Sequence, residues 1–398
     1  MATVKWNRFA HVEVLKQARP EWLKKLFAPH EPFFTARGIV FDGTTDFDYE
    51  KLASVLAAPD AEMDDKLIEA LFFIHEMSKP EDMTRILDEN HKRPAGEQIS
   101  FDFLSDPTPM EVAIQTWLED RDFLEEKHAE QNLATRRSFE TFPSHTSAPL
   151  AKVDPTALKK IVADVDDWLA KMKRERNCKI FTLQHKDGTW FMIRHGLPFR
   201  REGSIKKGKS GAVYFQPEHF DVVVYDPEAG DLRINAENAK ATVLYRESFG
   251  LHLFGSEDYF KKDDKYTLDP LFDKGEDSLA CSDIPGLEKI TLREVTYFYG
   301  GKQHETTVRK ADDLFAAYKS RNEELPKGGR HTSATFEVKY ADVKATRSFT
   351  IRVPRGTKFT RDEDGLLLYT WMRKRGFIVE TMEDDEIHPD PVLATASV

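Results

Sequence analysis

The sequence of 398 residues contains only two cysteines, Cys178 and Cys281. Two thiols cannot build a disulfide framework or a four-thiolate zinc site, so packing alone must hold the core together. No apolar run approaches the roughly 20 residues that a membrane helix needs. The first residues, Met1–Val14, lack the apolar core of a secretory signal. We therefore expect a cytoplasmic protein that does not interact with a membrane.

Several catalytic and metal-binding motifs are also missing. The 13 histidines form no HxH or HExxH pattern, the cysteines form no CxxC pair, and there is no GxSxG. Each histidine is therefore interpreted as a surface residue or as a hydrogen-bonded core residue. The sequence predicts no bound metal and no cofactor, and it favours a protein without catalytic activity.

What the sequence does contain is enough aromatic material for a large core. It holds 28 Phe, 11 Tyr and 6 Trp, which excludes a mostly disordered chain. The length suggests two to three domains at about 150 residues each. The net charge is −11, and residues 1–177 carry most of it, with 24 basic and 33 acidic side chains. Such an acidic half would suit a protein partner.

The apolar pattern changes along the chain from helical to strand-like. Helical spacing over 60–77, 80–91 and 109–118 predicts an acidic helical domain at 1–140. Residues 141–155 hold three Pro together with Ser and Thr, and we interpret them as a linker. Residues 156–379 then open with one helix and continue in period two. The predicted fold class is α+β, with a helical N-terminal domain and a β-rich mixed C-terminal domain.

Hairpins and a charged tail complete the predicted organisation. Asp187-Gly188 separates two β-like runs, which is the signal for a tight hairpin turn. Residues 380–398 contain six acids and no lysine or arginine. We expect them to form an acidic disordered tail, because they hold few large apolar side chains.

A basic segment interrupts the acidic chain. Residues 171–210 hold 12 basic and 3 acidic side chains, interleaved with Trp and Phe. Lysine and arginine neutralise phosphates, and exposed aromatic rings stack on bases, so the segment predicts contact with nucleic acid or another polyanion. The candidate binding residues, which include two arginines near the end of the last predicted helix, are Lys173, Arg174, Arg176, Arg194, Arg200, Arg201, Lys206, Lys207, Lys209, Arg373 and Arg375.

The same segment formally matches a phosphate-binding loop. Gly203–Ser210 fits GxxxxGK[ST], but neither a buried strand before it nor a helix after it is predicted. The alternative interpretation of the match, a flexible and solvated basic loop, is therefore preferred.

A second motif offers a catalytic alternative. Glu337 and Lys339 lie in one predicted strand, and a Glu-x-Lys pair is half of a metal-dependent nuclease site, in which carboxylates bind Mg²⁺ and lysine orients the attacking water. Such a site needs a further acid on a neighbouring strand, and the nearest, Asp312 and Asp313, fall at a predicted helix start. The two residues could equally form the solvated face of a half-buried strand.

These observations favour a non-catalytic nucleic-acid-binding or assembly subunit of a cytoplasmic complex. A metal-dependent nuclease using Glu337 and Lys339 is the first alternative, with Mg²⁺ as its only cofactor. A protein-interaction module without nucleic acid is the second. The layout is loosely similar to that of accessory proteins from bacterial defence or mobile-element loci, although no residue carries that similarity. Neither the choice between DNA and RNA nor the oligomeric state follows from the sequence.

Overall fold

The computed structural model describes residues 6–41, 48–60, 62–103, 106–134, 138–144, 146, 148, 150, 153–185, 187–206, 208–341, 343–360 and 363–379. The side chains of 132–134, 206, 363 and 364 are not among the described parts, and the predicted tail at 380–398 lies outside them. The architecture is α+β, with a helical N-terminal region and a β-rich C-terminal region. The predicted fold class is therefore confirmed.

The chain divides into two compact units, and the first consists mainly of residues 1–132. Helices follow one another through this region: α1 (Val12–Leu15), α2 (Pro20–Phe27), α3 (Glu31–Thr35), α4 (Tyr49–Ala57), α5 (Asp65–Glu76), α6 (Pro80–Lys92), α7 (Pro109–Glu119) and α8 (Arg121–Ala134). Asp64 caps α5 and Thr108 caps α7, each accepting a backbone N–H at the helix start. One apolar cluster, from Phe9 to Leu124, forms the core of this unit.

The second unit is built on one antiparallel sheet of ten strands, in the order β2-β3-β6-β7-β1-β12-β11-β10-β8-β9. A separate pair, β4-β5, is divided between the units, because Gly203–Ala212 group with the first unit and the rest of the pair with the second. The strands are β1 (Ser138–Pro143), β2 (Lys179–His185), β3 (Gly188–Gly196), β4 (Arg200–Lys206), β5 (Lys209–Phe215), β6 (Glu218–Asp226), β7 (Asp231–Asn235), β8 (Leu287–Gly300), β9 (Glu305–Lys310), β10 (Arg330–Tyr340), β11 (Arg347–Arg352) and β12 (Gly356–Lys358).

Two helices cover the half of the sheet that begins at β2. They are α9 (Pro155–Lys171) and α10 (Ala239–Phe254). Ile161 and Val165 of α9 share a core with Phe191 of β3 and Phe249 of α10. Asp154 caps α9, and Pro155 occupies its first position. The hairpin predicted at Asp187-Gly188 is also confirmed: Gly188 adopts φ +125° and begins β3.

The other half of the sheet has its own core. It carries α11 (Asp269–Asp273), α12 (Leu314–Lys319) and α13 (Glu363–Arg375). The buried Trp371 of α13 lies edge-on to Phe336 of β10 and to Phe349 of β11, with ring centroids 5.8 and 5.7 Å away. Among the described residues, no helix is long and apolar enough to cross a bilayer.

The start of the predicted linker is instead a strand at the centre of the sheet. β1 pairs with β7 through Phe142 and Leu232, and with β12 through Phe139 and Thr357. Phe139 and Phe142 are both buried. β1, which includes residues 141–143, therefore joins the two halves of the sheet, because it pairs with β7 on one side and with β12 on the other.

Candidate nucleic-acid interface

A two-stranded hairpin connects β3 to β6. The ladder between those strands ends where Gly196 faces Glu218, and beyond it the amide of Leu197 donates to the carbonyl oxygen of Pro217 at 2.8 Å. β4 and β5 then pair with each other and join no other described strand. We call residues Arg200–Phe215 the basic ribbon. The interpretation of this segment as a flexible loop is therefore wrong, because its residues form two paired strands. The formal phosphate-loop match also lacks the helix that should follow such a loop.

Both faces of the basic ribbon carry the same combination of side chains. Consecutive residues of a strand point to opposite faces. Arg200 and Arg201 of β4 therefore lie on opposite faces, and so do Tyr214 and Phe215 of β5. Tyr214 is 69% exposed and Phe215 is 41% exposed. Each face of the ribbon presents one arginine and one accessible aromatic ring.

The cations of the ribbon are available for a ligand. Arg200, Arg201 and Lys209 are exposed and, within the described part of the chain, form no ion pair. Lys207 and the side chain of Lys206 lie outside the described parts. Phe199, which precedes the ribbon, is 58% exposed, and Ile205 near its tip is 78% exposed. With Tyr214 and Phe215, they make four large apolar side chains in and beside the ribbon that are accessible to solvent.

Neighbouring cations lie on β2 and β3. The Nζ atom of Lys179 is 4.8 Å from the centre of the Phe181 ring, and the guanidinium of Arg194 is 6.0 Å from it. Arg194 also lies 3.7 Å from a carboxylate oxygen of Glu218. These contacts hold two cations beside the root of the basic ribbon.

The cations at the end of α9 have three different environments. Lys173 is exposed, with φ +59°. Arg176 is exposed and pairs with Asp167 at 2.6 Å. Arg174 is buried, and its two terminal nitrogens donate to the two carboxylate oxygens of Glu237 at 2.7 and 3.0 Å. Arg174 therefore holds α9 to the segment before α10 and is not available to phosphate.

The two arginines of α13 belong to the other half of the sheet. Arg373 is exposed, 5.8 Å from the ring of Tyr369, whereas Arg375 donates to Asp283 and to the carbonyl oxygen of Ala280. Their helix packs on β10 and β11, and four strand pairings separate β6 from β11. The structure thus does not bring Arg373 and Arg375 together with the basic ribbon.

Among the described residues, no further acid joins Glu337 in a group suited to a metal, as a nuclease site would need. The Nζ atom of Lys339 lies 2.5 Å from Glu288, and Glu337 faces Thr291 of β8 and Ser348 of β11. No group of His, Cys, Asp or Glu suited to a metal includes Glu337 among the residues that the structure describes. Glu337 and Lys339 are half-exposed between buried neighbours, the pattern of a strand with one solvated face.

The structure also assembles three residues that the sequence analysis did not single out. His195 of β3 lies directly opposite His219 of β6, and Asp221 follows two residues later on the same face. Both Nε2 atoms lie 3.1 Å from carboxylate oxygens of Asp221, His195 from Oδ2 and His219 from Oδ1. The hydroxyl of Tyr245 on α10 donates to Oδ2 at 2.8 Å. The only signal in the sequence is His-x-Asp in one strand, because the third residue is placed by strand register.

Burial and hydrogen bonding change the pKa of Asp221 in opposite directions. Its burial raises the pKa, but hydrogen bonds from His195 and His219 outweigh that effect and lower the pKa to about 2. Burial, together with the nearby Asp221 charge, holds the pKa of Tyr245 well above its usual range. Burial also raises the pKa of the neighbouring Cys178 to about 12, so this thiol is not an activated nucleophile.

Comparison with known proteins adds no functional information. No family model matches the chain, and no curated protein matches it either.

Proposed function

We propose that this protein binds nucleic acid through the basic ribbon and acts as a non-catalytic binding or assembly subunit. The observation that carries the proposal is the placement of an exposed arginine and an exposed aromatic ring on each face of a β-hairpin that pairs with no other described strand. The proposal rests on this surface alone, because no relative contributes to it.

The chemistry of the ribbon suits a polyanion that also offers aromatic surfaces. Arg200, Arg201 and Lys209 can neutralise backbone phosphates, and Tyr214 and Phe215 can stack on bases. A two-stranded ribbon also fits the major groove of B-form DNA. Single-stranded nucleic acid uses the rings more fully, since its bases are free to stack. We therefore expect single strands to bind more tightly than duplex.

Charge favours this ligand over an apolar protein surface. The ribbon contains Arg200, Arg201, Lys206, Lys207 and Lys209 against a single acid, Glu202. An apolar partner would have to remove these cations from water without a matching charge, which is costly. A strand of phosphates supplies the matching charge and releases its own counterions.

The test is a double charge reversal, Arg200→Glu with Arg201→Glu. Binding of fluorescent single-stranded DNA, single-stranded RNA and duplex DNA is measured by anisotropy over a series of salt concentrations. Each lost charge-assisted contact contributes about 1.5–3 kcal/mol, so we expect roughly 100-fold weaker binding at low salt. The slope of log affinity against log salt should flatten by roughly 1.4–1.8.

The matched control reverses two cations on another exposed strand, Arg309→Glu with Lys310→Glu on β9. This variant changes the net charge by the same amount and should retain most of the affinity. Equal losses in the two variants would show an effect of net charge alone and would contradict the proposal. Absence of binding to all three nucleic acids by the unmodified chain would also contradict it and would favour a protein-interaction module.

A further inference from the structure

The group formed by His195, His219 and Asp221 has the geometry of a metal site. One ligand atom from each residue lies within 4.8 Å of the others. Each imidazole Nε2 atom lies 3.1 Å from the Asp221 carboxylate, His195 from Oδ2 and His219 from Oδ1. Ligand atoms about 2.0–2.1 Å from a tetrahedral zinc ion are roughly 3.3 Å apart, so these separations are close to those of a bound site.

The charge of this group calls for a cation. The side chain of Asp221 is almost fully buried at 1% exposure, and within the described residues neither lysine nor arginine pairs with it. A buried carboxylate without a positive partner is strongly unfavourable. The described groups that contact the carboxylate are the two imidazoles and the Tyr245 hydroxyl, and a bound metal ion would supply the positive charge that these groups lack.

The surroundings favour the metal. The Nδ1 atom of His195 lies 3.3 Å from the carbonyl oxygen of Gly196, which accepts when Nδ1 carries the proton. In that tautomer the lone pair of Nε2 can coordinate an ion, and metal binding would replace the hydrogen bond between Nε2 and Asp221. Ligating histidines typically donate their other ring N–H in this way. The hydroxyl of Tyr245 holds the Asp221 carboxylate from the side of α10.

We propose that His195, His219 and Asp221 bind one Zn²⁺ ion at the root of the basic ribbon. Two imidazoles and one carboxylate are typical zinc donors, whereas Mg²⁺ and Ca²⁺ prefer oxygen ligands. Three protein ligands leave one position for water. His219 is 26% exposed and the other two ligands are almost fully buried, so an ion would enter beside His219. The ion would link β3 to β6 where the ribbon leaves the sheet.

The experiment uses the full chain after treatment with EDTA and dialysis. Titration calorimetry with zinc sulfate should give a stoichiometry near one, and elemental analysis after gel filtration should find about one zinc per chain. Co²⁺ should produce the visible absorption bands of a tetrahedral site. Saturating zinc should raise the unfolding midpoint by about 3 °C or more.

The informative variant is His219→Ala, because its side chain is the most accessible of the three and its loss should leave the fold intact. We expect at least a 100-fold weaker zinc affinity and loss of the cobalt bands. The control is His252→Ala, which removes the ring that lies 2.8 Å from Asp164, a His–Asp pair without a second histidine. This control should bind zinc like the unmodified chain.

Two results would overturn the proposal. One is a stoichiometry near zero in the unmodified chain, which would mean that hydrogen bonds alone accommodate Asp221. The other is unchanged zinc affinity in the His219→Ala variant, which would place the ion elsewhere. Neither readout involves nucleic acid, so the outcome is independent of the proposed binding function.

Discussion

The basic ribbon and the edge strand β9 are both exposed, both basic and both part of a hairpin, yet they have different surroundings. β9 is the last strand of the ten-stranded sheet, and its Lys310 lies 3.8 Å from Glu294 of β8. Val308 is an exposed apolar side chain of β9. The basic ribbon stands apart from the sheet and presents arginine with aromatic rings on both faces.

This difference shows that positive charge alone does not define a binding surface. An edge strand carries charged side chains to prevent pairing with another chain, so the cations of β9 have a sufficient structural reason. Both strands of the ribbon also have an open edge, so the same reason applies to its cations. The feature that β9 does not share is the pair of exposed aromatic rings beside the cations. The pattern of rings therefore distinguishes the two strands better than the pattern of charge.

Among the variants that compare the ribbon with β9, removal of the two aromatic rings should reduce nucleic-acid affinity most. The double substitution Tyr214→Ala with Phe215→Ala should weaken binding of single-stranded nucleic acid at least about tenfold, since each stacked base contributes about 1–3 kcal/mol. Because both rings are exposed, the free energy of unfolding should change by less than about 0.5 kcal/mol for each. Anisotropy titrations and denaturant unfolding measure the two quantities.

The control for the rings is Val308→Ala on β9, which should change neither quantity. Duplex DNA should lose less affinity than single strands in the ring variant, because its bases are already stacked on one another. Equal losses for single strands and duplex would contradict stacking as the role of the rings.

A second, smaller effect concerns the edge strand itself. Replacing Arg309 and Lys310 by threonine leaves the strand able to pair but removes its charge. We expect a measurable increase in dimers and larger species by light scattering at high protein concentration, with nucleic-acid affinity nearly unchanged. The control Lys302→Thr removes a charge from the turn before β9 and should stay monodisperse to the same degree as the unmodified chain. Unaltered association in the double variant would show that β9 needs no charge for protection.

The smallest expected effect tests whether the acidic sequence at 380–398 competes with phosphate. Its six acids are opposite in charge to the basic ribbon. Deleting 380–398 should tighten nucleic-acid binding roughly twofold at 0.01 M salt, where the Debye length is about 30 Å, and the gain should vanish near 1 M. The shorter deletion of 391–398 removes no acid and should change nothing. Identical affinities of the full and truncated chains at low salt would contradict this competition.

Local sequence patterns were sufficient for elements that bury one face. α9 shows its apolar positions at helical spacing after an Asp154-Pro155 start, and β2 and β3 flank a turn that needs the positive φ of Gly188. The basic ribbon buries neither face, so no apolar alternation distinguishes it from a loop. Binding of a protein partner by the acidic helical region remains a prediction from the sequence.

Local sequence patterns identify even less of the candidate sites. Arg200, Arg201 and Lys209 could be identified from charge alone, whereas the burial of Arg174 depends on Glu237, which lies far away in the chain. The pairing of His195 with His219 depends on the register between β3 and β6. Interactions of this kind have no local signature, because they exist only once the sheet has formed.

The position of β1 also has a consequence for the order in which the molecule can fold. During synthesis Ser138–Pro143 emerges early, β7 can pair with one of its edges soon afterwards, and its other edge waits until Gly356–Lys358 has been made. Closing so large a loop costs entropy before any contact stabilises it, which slows folding. A nascent chain that ends before Gly356 therefore exposes an open strand edge at the centre of its future sheet. Ribosome-bound chains should acquire protease resistance across the sheet only after β12 has left the exit tunnel.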